Sequence, residues 1–144
     1  MIIENVWPKD WQGTRGIMTP AKKIDMGTCY MIMVSGQQAT KNENNEVFTD
    51  DIEAQTEDVF KQIEEILQAS GASMNDVVKA VLLFTDIEKD FKKVSAVRDK
   101  WFVNSKPIST CLSCNGFSRK GAKIEIEVTA IIPKPNPFFF GAMV

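Results

Sequence analysis

The strongest constraint on the fold is the eight-residue run from Val77 to Phe84, Val-Val-Lys-Ala-Val-Leu-Leu-Phe. The run is almost wholly apolar, rich in β-branched residues and too short for a separate helix, so it predicts a buried strand. A strand that is apolar on both faces needs cover on both faces. The sequence therefore predicts a layered structure with this strand inside a sheet.

Apolar residues on either side of this strand recur at the three-to-four spacing of amphipathic helices. The first predicted helix begins in Asp50-Asp51-Ile52-Glu53, which has the acid-x-x-Glu form of a helix start, and ends at Gly71. The second extends from Glu88 to Phe102. Further strands are predicted at 24–26, 29–34, 109–115 and 123–132. The order β-β-α-β-α-β-β predicts an α/β fold.

The 144 residues suit a single domain, 1–144, because chains of this length can bury about two-thirds of their unfolded surface. Residues 1–16 mix tryptophan, glycine and charge, which predicts an irregular N-terminal arm. Residues 133–144 form an apolar C-terminal tail that contains Phe138-Phe139-Phe140. Three consecutive phenylalanines are expected to pack on another surface.

The absence of histidine excludes whole classes of site. Ser/His/Asp and Cys/His nucleophile systems, histidine-containing zinc sites and imidazole acid–base chemistry all require that residue. With 19 acidic and 17 basic residues, the net charge is -2, so the chain offers no basic footprint for nucleic acid. Neither a dinucleotide-binding nor a P-loop motif is present. We expect no cofactor and no resident metal.

The N-terminal segment carries Glu4 and Pro8 in place of the basic and apolar regions of a secretory signal. The longest apolar runs are too short to span a bilayer. With three cysteines and no export signal, the expected location is the cytoplasm, where thiols stay reduced. The expected partner is a small molecule, and neither nucleic acid nor membrane is expected.

Cys111-Leu112-Ser113-Cys114 is a C-x-x-C motif, which invites redox and zinc interpretations. A redox motif needs its first cysteine at a helix N-terminus, whereas this one falls in a predicted strand. Zinc needs four ligands, and the chain offers only three thiols. Two interpretations stay open: small buried strand residues, or an active role for Cys111 beside a pocket.

Glu125 and Glu127 lie two residues apart in the alternating segment Lys123 to Ile132, so they share one strand face. A solvent-facing charged edge has this pattern, and so does a strand that presents a carboxylate to a pocket. Periodicity alone leaves both interpretations open.

Several separated motifs, in order and in one register from about Ile17 to Ile132, resemble the Rid family, the reactive intermediate deaminase or YjgF-type proteins. These motifs are Val34-Ser35-Gly36-Gln37, Asp50 through Gln55, Ala69-Ser70-Gly71-Ala72-Ser73 with Asp76-Val77-Val78-Lys79, Asp90-Phe91, Pro107 leading to Cys111, and Lys123-Ile124-Glu125-Ile126-Glu127. The chain is therefore identified as a divergent member of that family.

The resemblance implies a chorismate-mutase-like α/β fold, with a mixed, mainly antiparallel sheet and two helices on one face. It also implies a homotrimer whose ligand clefts lie between subunits. In family members that are deaminases, water hydrolyses an enamine or imine product of an amino-acid dehydratase, releasing ammonia and a 2-keto acid. A strand carboxylate positions the water, and an arginine binds the substrate carboxylate through a bidentate pair.

The resemblance assigns site residues position by position. The glycine of the Ser-Gly-Gln motif is Gly36, the cysteine after the proline is Cys111, and the catalytic glutamate is Glu125. The family arginine, two residues after the proline, is replaced by Ser109. Since a charge-assisted hydrogen bond contributes about 1.5 to 3 kcal/mol, this exchange weakens the prediction of simple 2-iminoacid hydrolysis.

Two further substrate-binding positions also depart from the family pattern. The asparagine expected on the second helix is Ser95, and the tyrosine of an early Gly-Pro-Tyr segment is Ala21, across an alignment gap. Arg98, Arg119, Arg15 or a lysine could restore a positive charge to the cleft, but the sequence does not place any of them there.

The leading hypothesis is a hydrolytic deaminase that acts on an enamine, an imine or a related small reactive metabolite. The alternative is a non-catalytic ligand-binding or regulatory trimer that has lost the chemistry. A ribonuclease role, sometimes attached to this family, ranks third because the acidic chain lacks histidine and a basic patch.

Overall fold

The computed structural model describes residues 1–11 and 16–135. Two helices and six strands make up its regular structure, with a short 3-10 turn at Met74–Asp76 before the fourth strand. The strands are β1 Ile3–Val6, β2 Ala21–Asp25, β3 Cys29–Gln38, β4 Val77–Phe84, β5 Ile108–Ser113 and β6 Ile124–Pro133; the helices are α1 Ile52–Ala69 and α2 Ile87–Trp101.

The six strands form one sheet in the order β1-β2-β3-β6-β4-β5. β4 and β5 pair in parallel, joined by α2, and the other neighbours are antiparallel. α1 packs on α2 and on β3 and β6. Phe84 of β4 contacts Phe91 of α2, with ring centroids 6.3 Å apart, so both helices cover the same face. The predicted fold class is confirmed.

Alternation along β6 separates the covered face of the sheet from the open one. Ile124, Ile126 and Val128 are buried, while Glu127 between them is exposed. The core consists of these side chains together with Val59, Phe60, Ile63, Ile66 and Leu67 of α1 and Ala80, Leu82 and Phe84 of β4. The core therefore lies between the sheet and α1, which leaves the Glu125–Glu127 face without cover from the helices.

The helix boundaries follow from their caps. Asp51 is the N-cap of α1, where its side chain accepts a 2.9 Å hydrogen bond from the Ala54 N–H, so the cap lies one residue after Asp50, the first residue of the predicted helix start. Gly71 adopts a left-handed φ of 84°, which terminates α1 as predicted. Asp86 caps α2 in the same way through the Lys89 N–H.

One prediction differs from the structure: the N-terminal arm is not wholly irregular, because Ile3–Val6 pairs with β2 as an edge strand. Within one chain, the β4 strand is covered on one face only, since Leu82 is fully buried whereas Val78 is 42% exposed. Within the described part of the chain, nothing packs over that second face. The apolar tail with Phe138-Phe139-Phe140 lies outside the described residues, apart from its first three positions.

Candidate functional site

Glu125 of β6 lies against Gly36 of β3. The register of β3 on β6 shifts between Val34 and Gln37, so Gly36 falls within a bulge that re-aims the backbone. A β-carbon built on Gly36 would lie 2.7 Å from Glu125 Cδ and 2.9 Å from Cγ, closer than any real side chain tolerates. Gly36 and Glu125, two of the predicted site residues, are therefore in contact, and glycine at position 36 makes room for the carboxylate.

Gln38, directly opposite Glu125 in the β3–β6 register, holds the carboxylate in place. Its amide Nε2 donates a 2.6 Å hydrogen bond to Glu125 Oε2. Its amide oxygen accepts a 3.1 Å bond from the backbone N–H of Arg119, which can only donate. The amide orientation is thereby fixed, with its donor toward the glutamate.

The Arg119 side chain lies in the same cluster. Its Nη1 donates to the carbonyl oxygens of Gln38 at 2.8 Å and Ala39 at 2.7 Å. Burial lowers the pKa of the Arg119 guanidinium from its ordinary value, while the negative charges of Asp58 and Glu125 raise it. The group stays charged at neutral pH, so it contributes a fixed positive charge near Glu125.

Two clefts open beside this cluster. A cleft of about 130 Å³ is lined by Trp11, Gly36, Gln37 and Arg119, with residues 16–20 along one wall. A wider cleft of about 600 Å³ shares that wall and reaches Glu127. Ala21, one of the sequence-predicted binding residues, is 2% exposed and lines the wider cleft. The lining of the first cleft presents the Arg119 guanidinium, and the lining of the wider cleft presents the Glu127 carboxylate.

Ser109 and Cys111 lie on the other face of the sheet from Glu125. Leu82 of β4 is the register partner of both Cys111 and the buried Ile126, so Cys111 shares the helix-covered face with them. Ser109, two residues earlier, shares that face as well. Glu125 and Cys111 are also separated by two strand spacings, about 10 Å. One chain therefore does not bring all of the predicted site residues together.

Arg98 of α2 lies beside this second group. Its Nη1 is 3.9 Å from Cys111 Sγ, and it lines a cleft of about 370 Å³ together with Ser109. Ser95, one helical turn earlier, has a buried Oγ with no hydrogen-bond partner in the described residues. Cys111 and Cys114 are both half-buried free thiols. The structure thus divides the predicted residues into a Glu125 group and an Arg98 group.

The described residues contain no group of three or more potential metal ligands. Nor does any helix in residues 1–11 and 16–135 have the length and apolarity needed to cross a membrane.

The mixed six-stranded sheet with two helices on one face places this molecule in the YjgF-type fold class, and comparison with known proteins agrees. The sequence profile of the family described as Endoribonuclease L-PSP matches residues 23–132. A RutC family protein of Pyrococcus abyssi is 37% identical over 103 residues, which is 72% of this chain and 78% of the relative.

Solved structures give the same result. A member of the YjgF/YER057c/UK114 family from Mycobacterium tuberculosis superposes with a TM-score of 0.68 at 27% identity, over 80% of this chain and 86% of that one. YyfA of Yersinia pestis, from the Rid protein family, shares the fold with a TM-score of 0.78 at 24% identity, over 91% and 100% of the two chains. The chain belongs to the L-PSP family, the YjgF or Rid group. Membership in this group supports a role in small-molecule processing.

Sequence reasoning missed Gln38 and did not place Arg119 or Arg98. No local pattern marks Gln38, since its function as a clamp depends on contacts with Glu125 and Arg119, 87 and 81 residues away. The placement of Arg98 depends on how α2 packs over β5. A helical projection that put Ser95 and Arg98 on one face could have drawn attention to it.

Proposed function

We propose that this protein is a hydrolytic deaminase for a small enamine or imine, with Glu125 as the residue that positions and deprotonates water. The observation that carries the proposal is the fixed carboxylate: Glu125 is half-buried, packs on Gly36 and accepts a hydrogen bond from Gln38. A carboxylate held in one orientation beside a cleft is suited to general acid–base chemistry on a bound substrate.

The proposed reaction is an addition followed by an elimination. The imine reacts as its N-protonated form. Glu125 accepts a proton from water as the water oxygen bonds to the iminium carbon, giving a neutral carbinolamine. Glu125 returns that proton to the nitrogen and then accepts the hydroxyl proton as the C–N bond breaks, so that ammonia leaves, the carbonyl forms and the last proton is released to solvent. No redox change occurs, so the reaction needs no redox cofactor. An enamine substrate would first tautomerise to the imine.

The separation of the two residue groups supports a homotrimer as the functional unit. The open face of the sheet carries exposed apolar side chains, among them Met33 at 49%, Val78 at 42% and Leu112 at 51%. Exposed apolar surface on this scale is typical of an interaction face. We propose that the Glu125 group of one subunit meets the Arg98 group of a neighbour, which makes the cleft an interface site.

Ser109 favours an alternative function. Serine cannot provide the bidentate carboxylate contact that the resemblance assigns to arginine at this position. A trimer that binds a small ligand without turnover, as a regulatory or binding protein, would need only part of the site. In contrast, the family description as endoribonuclease gains no support from this chain, which has no histidine and a net charge of -2.

A comparison of Glu125→Gln with Glu127→Gln tests the proposal. Imines would be generated in the assay by a dehydratase acting on threonine and by an amino-acid oxidase acting on glutamate, with semicarbazide trapping residual imine. The wild-type protein is expected to lower semicarbazone yield with at least one imine. Glu125→Gln should lose about 100-fold or more of that rate, whereas Glu127→Gln, about 7 Å further along the strand, should lose much less.

The outcomes separate the two functions. Equal activity of Glu125→Gln and wild type would rule out the water-positioning role. If neither imine is turned over by the wild type but a 2-oxo acid product binds, the non-catalytic alternative is favoured. Light scattering on each variant controls for loss of assembly.

A further inference from the structure

The cleft beside Ser109 carries two positive charges from different elements. Arg98 from α2 and Lys106 from the loop before β5 both line this cavity of about 370 Å³, together with Asp99, Phe102, Val103 and Pro107. This volume lies within the range of small-molecule pockets. The short side chain of Ser109 lines the same cavity, where a longer side chain would occupy part of the space.

The Arg98 guanidinium is available to a ligand on one side. Nε and Nη2 contact Asp99 Oδ1 at 3.0 and 2.9 Å, while Nη1 extends toward Cys111 Sγ. The Arg98 side chain is 20% exposed but that of Asp99 is 68% exposed, so water and salt screen the Asp99 charge. The partly desolvated guanidinium therefore keeps the capacity to bind an anion in the cleft.

Lys106 is held in an uncommon backbone conformation. Its φ is 46°, in the left-handed region that a non-glycine residue rarely adopts, and its N–H donates to the Phe102 carbonyl at 3.0 Å. Pro107 follows directly and fixes the chain on that side. In the described part of the chain, Lys106 makes no ion pair. Lys106 is thus a second cation that lines the same cavity and, unlike Arg98, has no ion-pair partner in the described residues.

We propose that this cleft binds a dicarboxylate, with Arg98 holding one carboxylate and Lys106 the other. A monocarboxylate can contact only one of the two cations, whereas a dicarboxylate can contact Nη1 of Arg98 and the Lys106 ammonium at the same time. The Asp99 carboxylate also lines the cavity, but it is 68% exposed and therefore screened. The further step, that this dicarboxylate is the substrate, rests on the proposed deaminase function. On that basis the substrate is the imine of a 2-oxo dicarboxylic acid, and Arg98 replaces the missing strand arginine from a different element.

Calorimetric titration with 2-oxoglutarate and 2-oxobutanoate tests the proposal on the full chain. Wild type should bind 2-oxoglutarate about tenfold or more tightly than 2-oxobutanoate, the effect of one additional charge-assisted contact. Arg98→Met should weaken both ligands by about tenfold or more. Lys106→Met should weaken only 2-oxoglutarate and remove the preference. Lys100→Met, the same charge change at an exposed α2 position outside the cleft, is the matched control.

Several results would overturn the proposal: no binding of 2-oxoglutarate, equal binding of the two ligands to wild type, or unchanged affinity in Arg98→Met. Arg98→Lys guards against misfolding, because it keeps the charge and loses the planar fork, so an intermediate affinity is expected. Failure of the deaminase function can be distinguished from failure of this binding proposal. If only the deaminase function fails, 2-oxoglutarate binding still depends on Arg98 and Lys106, but no imine is turned over and Glu125→Gln leaves the affinity for 2-oxoglutarate unchanged.

Discussion

The Glu125 side chain lies directly over the α-carbon of Gly36, in the space that any other residue at position 36 would fill with its β-carbon. The contact joins two positions that are 89 residues apart in sequence and adjacent at the β3 bulge. The φ of Gly36 is not in the left-handed region, so backbone conformation does not explain the glycine. The close approach of the Glu125 side chain does. The carboxylate orientation therefore depends on the absence of a side chain.

Gly36→Ala is expected to displace the Glu125 carboxylate and break its hydrogen bond to Gln38. Overpacking of this kind costs about 1 to 3 kcal/mol, which should appear as a lower urea midpoint. Gly16→Ala is the matched control, because a β-carbon at Gly16 meets nothing within 4 Å. Equal destabilisation by the two substitutions would contradict the steric explanation.

Arg119 is expected to stabilise the chain through its contacts with the Gln38 and Ala39 carbonyls. Arg119→Met removes two charge-assisted hydrogen bonds and leaves half-buried carbonyls without that partner, a loss of about 3 kcal/mol in the free energy of unfolding. Lys120→Met removes the neighbouring charge and an exposed ion pair with Glu46, and should cost less than about 1 kcal/mol. Urea unfolding of both variants measures the difference, and similar losses would show that the Arg119 contacts contribute little.

Sequence reasoning predicted the regular elements well where periodicity is local. The predicted helix from Glu88 to Phe102 and the observed one from Ile87–Trp101 differ by one residue at each end, and the Val77–Phe84 strand is confirmed. It missed β1, because an edge strand with mostly exposed residues has no alternation to detect. It also ended β3 at Val34, since the bulge at Gly36 interrupts the pattern and the strand continues to Gln38.

The candidate site was less predictable than the fold. Position matching to the family identified Gly36, Cys111 and Glu125, but it could not show that Cys111 and Glu125 lie on opposite faces of one sheet. Which face a residue occupies depends on the register of three strands, and register is set by pairing across the chain. The contact between Arg98 and Cys111 depends in turn on helix packing.

The ion pair between Asp25 and Lys134 should make stability depend on pH. Their 2.5 Å contact joins the β2–β3 turn to the end of β6. The Lys134 hydrogen bond, with help from the Gly27 N–H, holds the pKa of Asp25 below its ordinary value of 3.8; the same hydrogen bond holds the pKa of Lys134 above 10.5. Asp25 therefore stabilises the fold above about pH 4, a contribution lost as pH falls through its lowered pKa.

Lys134 behaves in the opposite sense, since its contribution is present below pH 10.5 and is lost as pH rises through the raised pKa. Asp25→Asn keeps an acceptor for Gly27 but removes the charge, so it should lower the melting temperature at pH 7 and have little effect below pH 3. Lys134→Met should give the same pattern, and the double variant should be no worse than either single one. A loss that is constant from pH 3 to pH 8 would contradict the ion-pair explanation.

With threonine or serine dehydratase as the imine source, the protein is expected to accelerate hydrolysis only slightly. The imines formed carry one carboxylate. Ser109 offers no bidentate partner for it, and in the proposed dicarboxylate cleft that carboxylate would contact Arg98 and leave Lys106 without a partner. Semicarbazide trapping measures the residual imine, and an arginine-bearing relative in the same assay gives the reference rate. Acceleration as large as that by the arginine-bearing relative, at comparable protein concentrations, would show that the serine at position 109 does not limit activity.

The chain should be a trimer of about three times 16.1 kDa by light scattering at micromolar concentration. Leu112 of β5 lies on the open face of the sheet. Its register partner on β4 is Leu83, and the register partner of Leu83 on β6 is Glu125, so all three side chains share that face. Because burial of a charge in an apolar interface is costly, Leu112→Asp should give monomers. Phe48→Asp places the same charge on an apolar side chain that is 72% exposed outside the strands, and should leave the trimer intact. A stable wild-type monomer would refute the trimer and with it the interface cleft.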